Sequence, residues 1–263
     1  MKTGTTSLRM PFLAALAACA LGVPSMAEAG ESRDICDQLA ASKFDTTRPS
    51  GFPGVDEQDI DIDKALPACQ DASAGGTGPR YTFQLGRVLS KQGMKAEAIA
   101  LYEQASTAGL TIAMVNLGAA LEEDNPAQAF AWYRKASEAG DMLGSYNLGV
   151  AYENGIGVEV SGPLALEAYR KASDQGDGSA AYNAAVLLDE GTLIPADKPE
   201  AVRLYTLAID RNNADAMFNL AQMYEKGEEV GADKARALEL YRRAAALGDT
   251  EAADNAKRLE AAD

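Results

Sequence analysis

The 263-residue chain contains no histidine, one tryptophan and three cysteines. Without histidine it can form no Ser-His-Asp or Cys-His dyad and no histidine-ligated zinc site, and it loses the side chain best suited to proton transfer at neutral pH. Long apolar runs are missing too. The one candidate, residues 10–23, is shorter than the roughly 20 apolar residues that a membrane span needs. Basic residues are scarce, 24 against 39 acidic ones, a balance that repels nucleic acid and anionic lipid. Gly155 and Gly157 form a Gly-x-Gly, but it has neither the preceding strand nor the following lysine of a phosphate loop. Asp59, Asp61 and Asp63 imitate the start of a calcium loop. Lys64 and Gln70 stand where such a loop needs Gly and Glu, so the segment reads as a solvated acidic loop or helix cap. No metal and no cofactor is called for.

What the chain does have is a repeat. Ala-x3-Tyr-x2-Ala followed by Gly occurs at Ala98, Tyr102, Ala105 and Gly109, and again at 129–140, 165–176 and 237–248. A fifth copy, Ala201, Tyr205 and Ala208, carries Asn212 at the glycine place. Offsets of 0, 4 and 7 keep the three side chains on one helical face, so this is a buried stripe. Gly or Asn then ends the helix, since both tolerate the left-handed conformation of a C-terminus. The tyrosines at 102, 133, 169, 205 and 241 follow one another at intervals of 31, 36, 36 and 36 residues. A second helix precedes each stripe, marked by Leu85-Gly86, Leu117-Gly118, Leu148-Gly149, Ala184-Ala185 and Leu220-Ala221, whose small second residue lets a neighbour come close. Gly155, Gly191 and Gly227 read as ends of first helices. Asn125, Asp197 and Asp233 read as N-caps of second ones. A hairpin of this size cannot bury its apolar stripes alone, so the copies must stack into a solenoid.

The segments at 147–158 (NLGVAYENGIGV) and 129–141 (AFAWYRKASEAGD) resemble the Sel-one-like repeat family, relatives of the tetratricopeptide repeat. The resemblance runs from about Arg80 to the C-terminus. It implies an all-α fold, a right-handed α-solenoid of helical hairpins. The first two copies lack the long Gly-x-Gly loop and should turn more tightly. The expected organisation is a signal peptide over 1–29, an N-terminal helical cap over 30–79, five repeats over 80–249 and a capping helix over 250–263.

Lys2 and Arg9, the apolar run and the small residues Ala27 and Ala29 read as a secretory signal cleaved after Ala29, giving a periplasmic or secreted protein. A lipid anchor at Cys19 is the alternative, because Leu16, Ala17, Ala18 and Cys19 resemble a lipobox. Export favours a disulfide between Cys36 and Cys69, flanked by short helices near 31–42 and 62–74, with 71–79 as a flexible joint. Without residues 1–29 the chain holds 22 basic and 38 acidic residues, a net charge of −16.

The residue before each Leu-Gly mark is Gln84, Asn116, Asn147, Asn183, Asn219 and, in the last helix, Asn255. Two before it stand Phe83, Val115, Tyr146, Tyr182 and Phe218. In tetratricopeptide proteins the equivalent first-helix face lines the concave groove. By that resemblance the amides of Asn116, Asn147, Asn183 and Asn219 pair with the backbone of an extended protein segment, and Tyr146, Tyr182 and Phe218 offer apolar platforms. The other reading is that the amides bridge adjacent repeats. The function expected is a periplasmic protein-protein interaction scaffold or regulatory adaptor without catalytic residues. The alternative is a cell-wall-active or beta-lactam-binding enzyme using carboxylates such as Glu122-Glu123 or Asp189-Glu190, which fall at exposed helix ends.

Overall fold

The computed structural model describes residues 26–76 and 78–261. Its regular elements are thirteen helices and one short 3-10 turn, with no strand among the described residues. α1 (Met26–Ala40), the 3-10 turn (Glu57–Asp59) and α2 (Ile62–Ala74) form the N-terminal cap. Five antiparallel hairpins follow, α3 (Pro79–Lys91) with α4 (Lys95–Thr107), α5 (Thr111–Leu121) with α6 (Pro126–Glu138), and α7 (Met142–Asn154) with α8 (Gly162–Asp174). Then come α9 (Gly178–Glu190) with α10 (Lys198–Ile209), α11 (Ala214–Lys226) with α12 (Lys234–Ala246), and the closing helix α13 (Thr250–Glu260).

The local signals do what their chemistry requires. Asn125, Asp197 and Asp233 each accept a hydrogen bond from the backbone N–H three residues on, and Gly155, Gly191 and Gly227 are left-handed C-caps. Asn212, at the glycine place of the fourth repeat, holds φ 61°, a conformation asparagine tolerates better than most residues. Gly157 has a second reason to be glycine: a Cβ there would run into the backbone of Pro126 and Ala127 in the preceding repeat. The joint expected over 71–79 is shorter than that. α2 continues to Ala74, because Ala72 and its neighbours bury against the cap core, and α3 already starts at Pro79.

The five tyrosines are the spine of the molecule, each at most 2% exposed. In the first three repeats their rings lie over the glycine of the first helix of the same hairpin. A Cβ at Gly86, Gly118 or Gly149 would sit 2.5–2.7 Å from the ring of Tyr102, Tyr133 or Tyr169. The core is not uniform along the array. One cluster runs unbroken from Ala165 to Leu259, whereas the cap and the first two repeats hold separate, smaller clusters. At the junction of the second and third repeats a small apolar cluster of Ala129, Tyr133 and Ala151 crosses the interface, and beside it the Ser137 and Ser145 hydroxyls stand 2.9 Å apart with both side chains buried.

In the cap, Cys36 and Cys69 are joined by a disulfide. Arg87, 4% exposed, fastens the cap to the first repeat by donating to the carbonyls of Ala40 and Val55, both at 2.7 Å. Asp37, 1% exposed, takes hydrogen bonds from Gln84 and Arg80. Asp61 caps α2, its carboxylate accepting from the N–H of Lys64.

Candidate functional site

The first helices α3, α5, α7, α9 and α11 present the column of amides to one side of the array. Asn116, Asn147, Asn183 and Asn219 are half-buried, whereas Gln84 is fully buried and is spent on Asp37 of the cap, 2.8 Å from its amide nitrogen. The column therefore opens only from the second repeat onward.

Its members are not equivalent. Asn183 donates to the Tyr146 hydroxyl of the preceding repeat at 3.4 Å, and Asn219 donates to the Tyr205 hydroxyl at 3.3 Å. These bonds cross from one repeat to the next, so the two amides bridge repeats through their nitrogens, which leaves the amide oxygens as acceptors. One repeat back from Asn147 the counterpart of Tyr146 is Val115, which has no hydroxyl, so the Asn183 type of bond has no equivalent there. Asn116 turns its nitrogen to the Ile112 carbonyl in its own helix, 2.8 Å away.

The residues two places before each mark lie deeper than a groove lining would. Phe83 and Val115 are buried and Tyr146, Tyr182 and Phe218 half-buried. Four of the five pack on the tyrosine of their own hairpin. Ring centroids are 5.7 Å apart for Phe83 and Tyr102, 5.9 Å for Tyr146 and Tyr169, 6.1 Å for Tyr182 and Tyr205, and 5.7 Å for Phe218 and Tyr241. A first helix is held both by its partner and by the adjacent repeats, so the buried arc is wider than the single stripe seen in the second helices. Tyr146 and Tyr182 keep their hydroxyl edge toward the amide column. Tyr182 has its phenol pKa raised, chiefly by burial and then by the charge of Asp215.

Five residues beyond each Leu or Ala mark stand Ser90, Glu122, Glu153, Asp189 and Glu225, a register that sequence reasoning missed. Four of these are carboxylates, and each takes the phenol of a core tyrosine: Tyr133 on Glu122 at 2.7 Å, Tyr169 on Glu153 at 2.5 Å, Tyr205 on Asp189 at 3.2 Å and Tyr241 on Glu225 at 3.1 Å. The acids considered above for carboxylate chemistry, Glu122 and Asp189, thus act as acceptors for buried phenols in different repeats and do not converge. In all four tyrosines burial is the leading cause of a raised pKa. In the first repeat Ser90 replaces the acid and gives its proton to Glu57 of the cap at 2.7 Å, so the buried Tyr102 hydroxyl is left without an acceptor. Among the described residues no group of three or more His, Cys, Asp or Glu could hold a metal ion, and no helix is long and apolar enough to cross a membrane. Cys19 lies outside the described residues.

Comparison with known proteins agrees with this register. The Sel1 repeat matches five times, over residues 81–110, 111–141, 143–177, 178–213 and 214–249. A Sel1 repeat protein from Oxalobacter formigenes is similar in fold, with a TM-score of 0.62 at 24% identity over 70% of this chain and 81% of its own. The protein c5321, a protective antigen of uropathogenic Escherichia coli with an SLR fold, has a TM-score of 0.57 at 21% identity, over 88% of this chain and 57% of its own. No curated protein matches the chain.

Proposed function

Because this chain belongs to the Sel1 repeat family, whose fold generally serves as a protein-protein interaction scaffold, we propose that it is an exported adaptor. It holds an extended segment of a partner protein against its first-helix face. The observation that carries this reading is the half-buried amide column of Asn116, Asn147, Asn183 and Asn219. It offers hydrogen-bonding groups at each repeat beside the hydroxyl edges of Tyr146 and Tyr182, and backbone pairing of that kind suits an extended chain. Export is supported by the signal-like residues 1–29 and by the disulfide, which persists in an oxidising compartment. Cleavage after Ala29 would remove the first turn of α1 and leave its buried residues, from Cys36 onward, in place. Proteins of this fold are typically non-enzymatic, and Glu122, Glu153, Asp189 and Glu225 are already bound to phenols.

The test is a partner captured from envelope extract with the oxidised protein, titrated against single variants. Asn147→Ala should weaken binding by roughly two- to ten-fold, the equivalent of one lost hydrogen bond of about 0.5–1.5 kcal/mol, with an unchanged melting temperature. Asn183→Ala and Asn219→Ala should lower affinity and melting temperature together, since each also cuts an inter-repeat bond. Parental binding by a folded Asn147→Ala variant, with stability loss alone in the other two, would mean that the column only joins repeats.

A further inference from the structure

We infer that the segment held on the first-helix face is basic, carrying Arg or Lys side chains; this rests on the groove reading above. Charge in the three middle repeats is divided between the two helical layers. The first helices α5, α7 and α9 contain no Lys or Arg at all, whereas their partners α6, α8 and α10 carry Arg134, Lys135, Arg170, Lys171, Lys198 and Arg203. Of the acids in these first helices, Glu190 stands on the amide stripe itself, and Glu153 and Asp189 lie beside it on the core phenols. Residues seven apart are nearly eclipsed on a helix, so Glu190 continues the stripe of Asn183, while Glu123 stands in the turn just past the end of α5, and both are exposed. Between them lie Ala119 and Val186 on the same stripe, and Val150 with Asn154 in α7.

Nearby cations offset only part of this face: Lys198 pairs with Asp189 at 3.2 Å, and Lys95 pairs with Asp124 beside Glu123. Lys171, in the last turn of α8, and Arg211, in the turn into α11, are bonded back to Ser137 and to Ser173 and Asp177. Glu122 and Glu153 hold phenols, and the charges of Asp215 and Glu190 both act on the Tyr182 phenol, raising it. The sign changes at either end of the face, at Lys91 in the first repeat and Lys226 in the fifth. The acidic stretch therefore spans the second to fourth repeats, with small or apolar residues between amide and acid. An extended segment lying across it meets amides for its backbone, Ala119, Val150 and Val186 for apolar side chains, and acids for cationic ones, an arrangement that repels an acidic segment.

The experiment uses the purified oxidised protein and three synthetic peptides alternating valine with arginine, glutamate or serine. Amide shifts are followed by NMR at low and at physiological salt. The arginine peptide should move resonances along the stripes of α5, α7 and α9, with affinity falling several-fold as salt is raised. A Glu123→Gln/Glu190→Gln variant should bind it roughly two- to ten-fold more weakly at an unchanged melting temperature. Inner-face binding by the glutamate or serine peptide as tight as that of the arginine peptide would overturn the charge inference and leave the groove reading standing. Shifts confined to α6, α8 and α10, or no inner-face shift with any peptide, would overturn both.

Discussion

Each core tyrosine joins a ring that fills the hairpin to a hydroxyl that must find a partner at the rim. Where the position five beyond the mark is acidic, the phenol is satisfied by a charged acceptor, and such a bond contributes about 1.5–3 kcal/mol. Tyr169, 2.5 Å from Glu153, should therefore lose about that much stability on Tyr169→Phe, read as a shift of the chemical-denaturation midpoint. Tyr102 is the internal control. Its hydroxyl is buried with no acceptor, so Tyr102→Phe should be neutral or stabilising. Equal losses in both variants would show that the carboxylates contribute nothing. The tyrosines and the small residues beneath them were legible because both recur at a fixed register on helical faces. The phenol-acid pairing was not, because the acid precedes its tyrosine by 11 residues at Glu122 and by 16 at Glu153, Asp189 and Glu225. The loop between the helices sets that interval, and it changes length after the second repeat. The depth of Tyr146, Tyr182 and Phe218 was hidden for a related reason: periodicity shows one buried stripe, while the width of the buried arc depends on how many neighbours a helix touches.

Between elements, the cohesion of the array varies with what its interfaces are made of. The fully buried core of the cap is Ala40, Ala65, Ala68, Ala72, Ile60 and the disulfide, closed by Tyr81 and Val88 of α3, with Ile35, Leu39, Val55, Ile62 and Leu66 only half-buried around it. Alanines bury little area, and at about 25 cal/mol per Å² they offer little against the entropy of ordering α1 and α2. Closing the loop between Cys36 and Cys69 is worth roughly 3–4 kcal/mol in the chain-entropy model. Reduction should therefore melt the cap while leaving the repeats folded, so that hydrogen exchange with and without reductant differs in α1 and α2 and is the same in α9–α12. Global unfolding on reduction would show that the array depends on its cap. A second seam is the junction of the second and third repeats, where the apolar core narrows to the cluster of Ala129, Tyr133 and Ala151 beside the polar contact of Ser137 with Ser145. Repeat arrays unfold as a sum of local and neighbour terms. α5 and α6 should thus exchange faster than α8–α12, which share one unbroken core, and uniform protection along the chain would rule out that seam.

Along the whole molecule the five tyrosines act together, because one titration threatens every hairpin at once. Burial is the leading cause that raises the pKa of Tyr102, Tyr133, Tyr169, Tyr205 and Tyr241 above the ordinary value of 10. The folded chain keeps these phenolic protons where the unfolded chain releases them, so unfolding lowers the number of bound protons and stability falls as pH rises past about 10. Below that value the contribution is fully present. Each phenol that ionises only in the unfolded chain removes about 1.4 kcal/mol per pH unit, and the five together remove roughly 7 kcal/mol per unit. Against a typical domain stability of about 5–15 kcal/mol, that slope exhausts the fold within one to two units. The array should unfold cooperatively near pH 11–12, with most tyrosinate absorbance appearing in the same step as the loss of helical circular dichroism. Replacing Tyr169 by Phe should make that step less steep by one proton, a change that distinguishes the phenols from the lysines titrating in the same window. A smooth rise of tyrosinate absorbance from pH 10 with the helices intact would show instead that the spine is open to solvent and that its hydroxyls do not hold the repeats together.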